Sequence, residues 1–400
     1  MTHDIPNRYG AFPNRDQELF LRAALLPGDA GSAAWREWKQ RVAWERDMDA
    51  ASFALLPLLY HHLKELGVED PAMGRFKGVY RKVWYQNRTL LHETAEILRL
   101  FEAGGIDTMV LKGAALTRLY YQDFGLRKMH DLDVVVPPAK RREAIDALSG
   151  AGWTPKFRPL SMLTDANLDL QHGWAFTDGR ERQLDLHWRV LPGGIFPDAE
   201  EGFWAASVPL DLEGVATKTL CPTDLLLHTF AHGIRWSPIP PIRWVADSIH
   251  ILRGAQGGID WERLTGWTEN CRLVLPVREG LACLRESFGA DIPDGVLREL
   301  NAVRIPPLEQ RHYACIVAPQ SVSLGELPVY WYEYLLNREA AGRPTGLRAA
   351  LGFLPYLRRF KMMTWREFLG WIVTRLAVRI SRSIRGRADG EAAFPEESLL

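Results

Sequence analysis

The pattern of apolar residues changes from helical to strand-like near residue 105, and this change limits the folds open to the chain. The segment GGIDTMVLKGAAL ends one helix on a glycine pair, passes through a short apolar strand and opens a new helix at Gly113. The strand HDLDVVV follows, stopped by Pro137 and Pro138, and then the helix AKRREAIDALSGAG. Strand, helix, strand and helix in succession predict an α/β module.

Helical periodicity dominates on both sides of this module. Apolar residues recur at helical spacing from DQELFLRAALL to HETAEILRLFEAGG, and again beyond about residue 215. Between them, GWAFTDGRERQLDLHWRVL predicts two strands joined by a turn at DGRE, the second carrying Asp185. The sequence therefore predicts an N-terminal helical region (1–104), an α/β module (105–214), a helical domain (215–345) and a basic C-terminal helix with an acidic tail (346–400).

Charge and hydropathy exclude several classes of protein. The chain has 49 Lys and Arg against 49 Asp and Glu, and this balance disfavours binding of long nucleic acid along a broad basic face. The first residues, MTHDIPNRYGAFPNR, lack the apolar core of a secretory signal. No uninterrupted apolar stretch approaches the roughly 20 residues needed to span a bilayer. These features predict a cytoplasmic protein.

Asp131 and Asp133 lie one residue apart at the start of a strand, so their carboxylates project from the same face. Two like charges at this separation raise each other's pKa, which costs stability unless water or a cation compensates. Solvation is the common reason for aspartates at a strand end. The alternative is a bound Mg²⁺, which prefers hard carboxylate oxygens.

The turn at Lys112 and Gly113 favours the second interpretation. The first free N–H groups of a helix form an anion site, and only glycine lets a phosphate approach the backbone closely. Lys112 would add a compact positive charge, and Asp185 supplies a third carboxylate on a later strand. Three carboxylates can bridge two metal ions about 3.5 to 4 Å apart, the arrangement for in-line displacement at phosphorus.

The segments VLKGAALTRLYYQDFGLRKMHDLDVVVP, LDLHW and LLLHTFAHG…IRWVADSIHIL resemble bacterial nucleotidyltransferase-family proteins of largely unassigned substrate, within the DNA polymerase beta-like superfamily. The resemblance implies an α+β fold in which a small polymerase-beta-like module is flanked by N- and C-terminal helical regions. It further implies a Mg²⁺-dependent enzyme that moves a nucleoside monophosphate from a nucleoside triphosphate, ATP by preference, to an acceptor hydroxyl. Pyrophosphate is released, and the acceptor is a small molecule or a protein.

The resemblance also implies roles for the three carboxylates. Asp131 and Asp133 would bind both metal ions. Asp185 would bind the catalytic metal ion and help to deprotonate the acceptor. His187 shares the face of Asp185 on the strand, so it would either orient that carboxylate or a phosphate, or lie in the core as a hydrogen-bonded histidine. His130, directly before Asp131, is a further candidate for contact with nucleotide or metal.

Three residues would contact the nucleotide: Gly113 seats the triphosphate, and Lys112 and Arg127 add charge. The alternative for Arg127 is a salt bridge to Asp123 or Asp131, and for Lys112 a strand-end charge in water.

Two other functions remain open. Ala114 stands where the superfamily usually has serine or a second glycine, so the chain is alternatively a non-catalytic nucleotide sensor or scaffold. His228 and His232 have metal-ligand spacing and, with Asp247, predict a metal hydrolase as a third function. Thr229 occupies the position of the glutamate that a zincin requires.

The basic segment near the C terminus either makes weak contact with an anionic membrane surface or packs as an amphipathic closing helix.

Overall fold

A computed structural model describes residues 11–194, 196–235, 237, 241–318 and 326–374. Within these residues, helices flank a seven-stranded mixed sheet, and the α+β prediction is confirmed. The limits predicted for the four parts of the chain stay predictions.

The chain begins with helices, as the periodicity predicts. The first of them starts at a capping box, in which the Asn14 side chain accepts from the Gln17 N–H and the Gln17 side chain accepts from the Asn14 N–H. The N-terminal helices are α1 (Arg15–Leu25), α2 (Gly28–Arg41), α3 (Trp44–Asp47), α4 (Ala50–Phe53), α5 (Leu56–Glu65) and α6 (Met73–Ala103).

The sheet and its helices follow. The strands are β1 (Met109–Val110), β2 (Leu132–Val135), β3 (Thr154–Pro155), β4 (Gly173–Thr177), β5 (Gln183–His187), β6 (Val208–Leu212) and β7 (Val215–Thr219). The helices between them are α7 (Lys112–Leu116), which continues as a π-helical turn (Thr117–Tyr121), α8 (Arg141–Gly150), α9 (Asp165–Leu168) and α10 (Pro197–Ala205). The strand order is β3-β4-β5-β2-β1-β7-β6, with β2 parallel to β5 at the centre.

Strands β6 and β7 form a hairpin that the sequence analysis did not predict. Glu213 and Gly214 form its two-residue turn, and both have positive φ (52° and 77°). Two positive φ values twist the turn in the sense that matches the right-handed twist of the strands. The alternating segment VPLDL-EG-VATKT carries the signal for this hairpin. Its strand β7 extends the sheet by pairing in parallel with β1.

Helices return after the sheet: α11 (Pro222–Gly233), α12 (Arg243–Gly254), α13 (Trp261–Asn270), α14 (Val274–Phe288), α15 (Asp294–Ala302), α16 (Pro307–Val317), α17 (Leu327–Ala340) and α18 (Leu347–Phe360). Residues 365–374 are also helical, and the part of the basic segment from residue 375 on, predicted to contact a membrane, lies outside the described residues. Among the helices that the structure describes, none combines the length and the apolar character required to cross a bilayer.

Two large hydrophobic cores hold these elements. The first joins the N-terminal helices to α11–α15, and it includes the aromatic residues Phe20, Trp35, Trp38 and Phe76. The second lies against the sheet and packs α6 and α8 on it. Full burial of a large apolar side chain contributes roughly 1.5–3 kcal/mol. The sheet is therefore held rigidly between helices, which fixes the side chains at the ends of its central strands.

Candidate metal and nucleotide site

The two central parallel strands bring Asp133 and Asp185 together. They are paired in the register of β2 with β5, so their side chains leave the same face of the sheet side by side. Ligand atoms of Asp133, Asp185 and His187 lie within 4.8 Å of one another. Across the described parts of the chain, this is the only group of three or more His, Cys, Asp or Glu residues that converges in this way.

His187 belongs to this cluster more closely than the sequence analysis predicted. Its Nε2 lies 3.1 Å from Oδ1 of Asp133, and both side chains are buried. The signal for this placement is the alternation of strand residues, which puts His187 on the face of Asp185. What the sequence does not show is the neighbouring strand, whose Asp133 is the residue that His187 contacts.

The three carboxylates differ in their pKa values. Burial and the charges of Asp133 and Asp185 raise the pKa of Asp131 to about 6. Burial also raises the pKa of Asp185. Burial acts in the same direction on Asp133, but the charge of Lys112 and the hydrogen bond from His187 outweigh it, and the pKa of Asp133 falls below its usual range. Carboxylates that resist ionisation next to one another are suited to a divalent cation, which would relieve their repulsion.

Lys112 places its ammonium group in this cluster. Its Nζ donates to Oδ1 of Asp133 at 2.5 Å, so it is not the solvated strand-end charge that the sequence left open. Its φ is 47°, in the left-handed region that non-glycine residues rarely adopt. The fold therefore holds Lys112 in a strained backbone conformation that directs its charge to the acids. Contact of Lys112 with a nucleotide stays a prediction.

Gly113 follows in the first turn of α7. A Cβ atom at this position would lie 2.8 Å from Cγ of Met129 and 2.9 Å from Nη1 of Arg127. Glycine is therefore required for close packing of the turn against the segment that leads into β2. This packing does not test the predicted contact of Gly113 with a triphosphate, which stays a prediction.

Arg127 forms a salt bridge, but neither Asp123 nor Asp131 is its partner. Its Nε and Nη2 donate to the two carboxylate oxygens of Asp247 at 2.7 and 2.9 Å. Asp123 instead accepts hydrogen bonds from the Tyr80 hydroxyl and the Gly125 N–H. This pairing favours a structural role for Arg127, and its contact with a nucleotide stays a prediction.

The same ion pair bears on the predicted hydrolase site. Asp247 accepts from Arg127 and from the Tyr121 hydroxyl. His228 and His232 do lie together, with ring centroids 4.3 Å apart. Within the described residues, however, Asp247 does not converge with them as a metal-ligand group, and the hydrolase prediction is wrong on this geometry.

Two residues next to Asp131 complete the surroundings of the cluster. His130 is exposed. Arg243, at the start of α12, donates to the carbonyl oxygen of Lys128 at 2.6 Å, and its charge acts to lower the pKa of Asp131. Arg243 was not predicted from the sequence, because it lies more than 100 positions from Asp131.

Paired carboxylates on adjacent central strands are a donor set for a divalent metal ion. A family model described as an uncharacterised nucleotidyltransferase matches residues 41–289, more than half of the chain, and the chain belongs to this family. The predicted enzyme class is thereby confirmed. No curated protein matches the chain.

We expect Asp131→Asn to stabilise the metal-free protein by about 3 kcal/mol at pH 8 and by only about 1 kcal/mol at pH 4.5. The pKa of Asp131 is raised in the folded state, so ionisation opposes folding. Below about pH 3 the carboxyl group is protonated in both states and costs nothing. Between about pH 4 and pH 6 the unfolded state ionises while the folded state stays protonated, so the penalty grows, and above this range it is complete.

Urea unfolding at pH 4.5, 6 and 8 in the presence of a chelator measures this effect. Asp146→Asn is the control, because Asp146 is an exposed carboxylate on α8. Destabilisation by Asp131→Asn at pH 8 would contradict the raised pKa.

Proposed function

We propose that the chain is a Mg²⁺-dependent nucleotidyltransferase that moves a nucleoside monophosphate from ATP to a hydroxyl group of a small molecule or protein. The observation that carries this proposal is the pairing of Asp133 with Asp185 on adjacent parallel strands, with His187 in the same cluster. Membership of a nucleotidyltransferase family supports the reaction class.

The donor atoms of the cluster fit Mg²⁺, because carboxylate oxygens dominate it. In the proposal, Asp131 and Asp133 bind two ions and Asp185 binds the catalytic one. When bound, the ions would stabilise the charge on the attacking and leaving oxygens. His187 is a positioning residue here, since its hydrogen bond holds the carboxylate of Asp133 in one orientation.

The bond-making and bond-breaking steps of the transfer use groups of the chain and of the two substrates. The acceptor hydroxyl oxygen attacks the α-phosphorus, and the bond from that phosphorus to the bridging oxygen of the β-phosphate breaks. Pyrophosphate leaves with the bonding electrons. Asp185 takes the hydroxyl proton, for which its raised pKa is favourable. Lys112, Gly113 and Arg127 are the proposed contacts for the triphosphate.

Ala114 does not favour the alternative of a non-catalytic sensor or scaffold. It is 7% exposed and belongs to the hydrophobic core against the sheet. A hydroxyl group at this position would need a buried hydrogen-bond partner. Packing is therefore a sufficient reason for alanine here, and loss of catalysis does not have to be invoked.

The test is transfer of label from each of the four nucleoside triphosphates, labelled at the α-phosphate, to acceptors in a cell extract. We expect label transfer and pyrophosphate release with ATP and Mg²⁺, and loss of both on addition of a chelator. Mn²⁺ is run in parallel because carboxylate oxygens suit it as well as Mg²⁺. Binding of a nucleotide without pyrophosphate from any of the four would identify a sensor instead.

A further inference from the structure

A cavity of about 530 Å³ opens beyond the carboxyl end of β5, between the end of α11 and helices α16, α17 and α18. This volume is within the range of small-molecule sites. Neither the metal site nor the predicted nucleotide contacts use it. Its lining includes His172, His312, Glu326, Tyr330, Glu333 and Tyr356.

Two histidine side chains connect the cavity with the candidate metal site. The ring of His172 lines the cavity and stacks on the ring of His187, with centroids 5.4 Å apart. His187 in turn contacts Asp133 at 3.1 Å. The cavity therefore ends two stacked histidine rings from the acid cluster, and an acceptor bound in it has to extend past them to place its hydroxyl group at the transferred phosphate.

Glu333 is the carboxylate in this cavity that lacks a cationic partner. Among the described residues, the one basic side chain within 4.0 Å of it is His312, at 3.9 Å between Nε2 and Oε1. Burial lowers the pKa of His312 to about 4, so its ring is neutral at pH 7. Burial raises the pKa of Glu333 to about 7, and the charge of Lys361 offsets this only in part.

The other two glutamates of the lining have partners. Lys361 Nζ lies 3.4 Å from Glu326, and Arg272 Nε lies 3.7 Å from Glu309. Glu333 differs from these two glutamates because no charged basic group that the structure describes lies within 4.0 Å of it. Its side chain is only 19% exposed, so water compensates its charge poorly.

Three arginines also line the cavity, and they differ in how far their charge is compensated. Arg272 pairs with Glu309 and Glu339, Arg189 donates to backbone carbonyl oxygens, and Arg235 is exposed. Among the described residues, no arginine lies within 4.0 Å of Glu333, so a cation is favoured at that position. The ring of Tyr330 already carries the ammonium group of Lys361, 4.4 Å from its centroid, which shows that an aromatic face in this lining can hold a cation.

We propose that this cavity binds the acceptor, and that the acceptor is a small hydroxylated molecule whose protonated amine pairs with Glu333. The inference rests on the proposed function for the hydroxyl that receives the nucleotide. The binding part stands on the cavity, on its continuity with His187 through His172, and on the unpaired carboxylate.

The test compares pairs of sugars that differ only in an amine. Glucosamine and its β-1,4-linked dimer and trimer are titrated calorimetrically against glucose, cellobiose and cellotriose, without nucleotide. We expect at least one amino sugar to bind about tenfold more tightly than its neutral counterpart, the effect of one charge-assisted hydrogen bond. Glu333→Gln should abolish the difference, and Glu299→Gln, at an exposed carboxylate on α15, should preserve it.

The paired comparison on the wild-type protein does not depend on how well a variant folds. Equal binding of every pair overturns the inference, and so does a preference that survives Glu333→Gln. Pyrophosphate release is measured separately with the same sugars. Asp133-dependent release without any amine preference would leave the proposed function standing and the inference refuted. A Glu333-dependent preference with no release from any nucleotide would refute the proposed function and leave the binding site standing.

Discussion

Replacing Asp133 by asparagine is expected to lower the rate of nucleotide transfer by about a thousandfold, or about 4 kcal/mol in activation free energy. Asp133 is the most central of the acids, with one neighbour on each side in Lys112 and His187. Its pKa is held below its usual range, so it contributes a full negative charge at neutral pH. Asparagine keeps the shape and removes the charge that the proposed metal ions require.

Pyrophosphate release at saturating nucleotide and Mg²⁺ measures this rate. Asp146→Asn on α8 is the matched control and should retain the wild-type rate, since its carboxylate is exposed away from the cluster. A thermal scan with and without Mn²⁺ gives a readout independent of turnover, because an ion that binds the folded state raises its unfolding temperature. A rate within threefold of wild type for Asp133→Asn would remove this site from the reaction.

Part of the cluster could be predicted from the sequence because its geometry is local. Spacing by two on a strand places Asp185 with His187 on one face. Asp131 was expected to share the face of Asp133, but it lies just before β2, and the converging group consists of Asp133, Asp185 and His187. The spacing does not give the parallel pairing of β2 with β5, which brings Asp133 beside Asp185. It also does not place Lys112 and His187 beside Asp133, which is why the pKa values of Asp131 and Asp133 move in opposite directions.

Contacts distant in sequence could not be predicted. Arg127 was expected to pair with an acid a few positions away, yet its partner Asp247 lies 120 residues along the chain. Asp123 and Asp131, the two expected partners, are nearer in sequence. The packing of α12 against the π-helical turn brings Asp247 to Arg127 instead. The cavity at Glu333 depends likewise on helices α16 to α18, whose arrangement leaves no local signature in the sequence.

Breaking the Arg127–Asp247 pair is expected to cost about 3–5 kcal/mol of folding free energy, the largest stability effect of a single substitution that we predict. Both residues are buried, at 7% and 5% exposure, and two hydrogen bonds join them. Burial opposes the charge of Arg127, but Asp247 outweighs it and raises the pKa of Arg127 above its ordinary value. Arg127→Met therefore leaves a buried carboxylate whose remaining described donor is the Tyr121 hydroxyl.

The double variant Arg127→Met/Asp247→Leu is expected to recover most of this loss, because no uncompensated charge remains. Urea unfolding measures both variants against the wild type. The exposed pair of Arg15 and Glu37 is the control, and removing Arg15 there should cost less than about 1 kcal/mol. Equal instability of the single and double variants would contradict the ion-pair account. The affinity of the double variant for ATP then separates the two roles of Arg127. Unchanged affinity means that the guanidinium group supports the fold. A loss of binding free energy larger than the loss of folding free energy means that it also contacts the nucleotide.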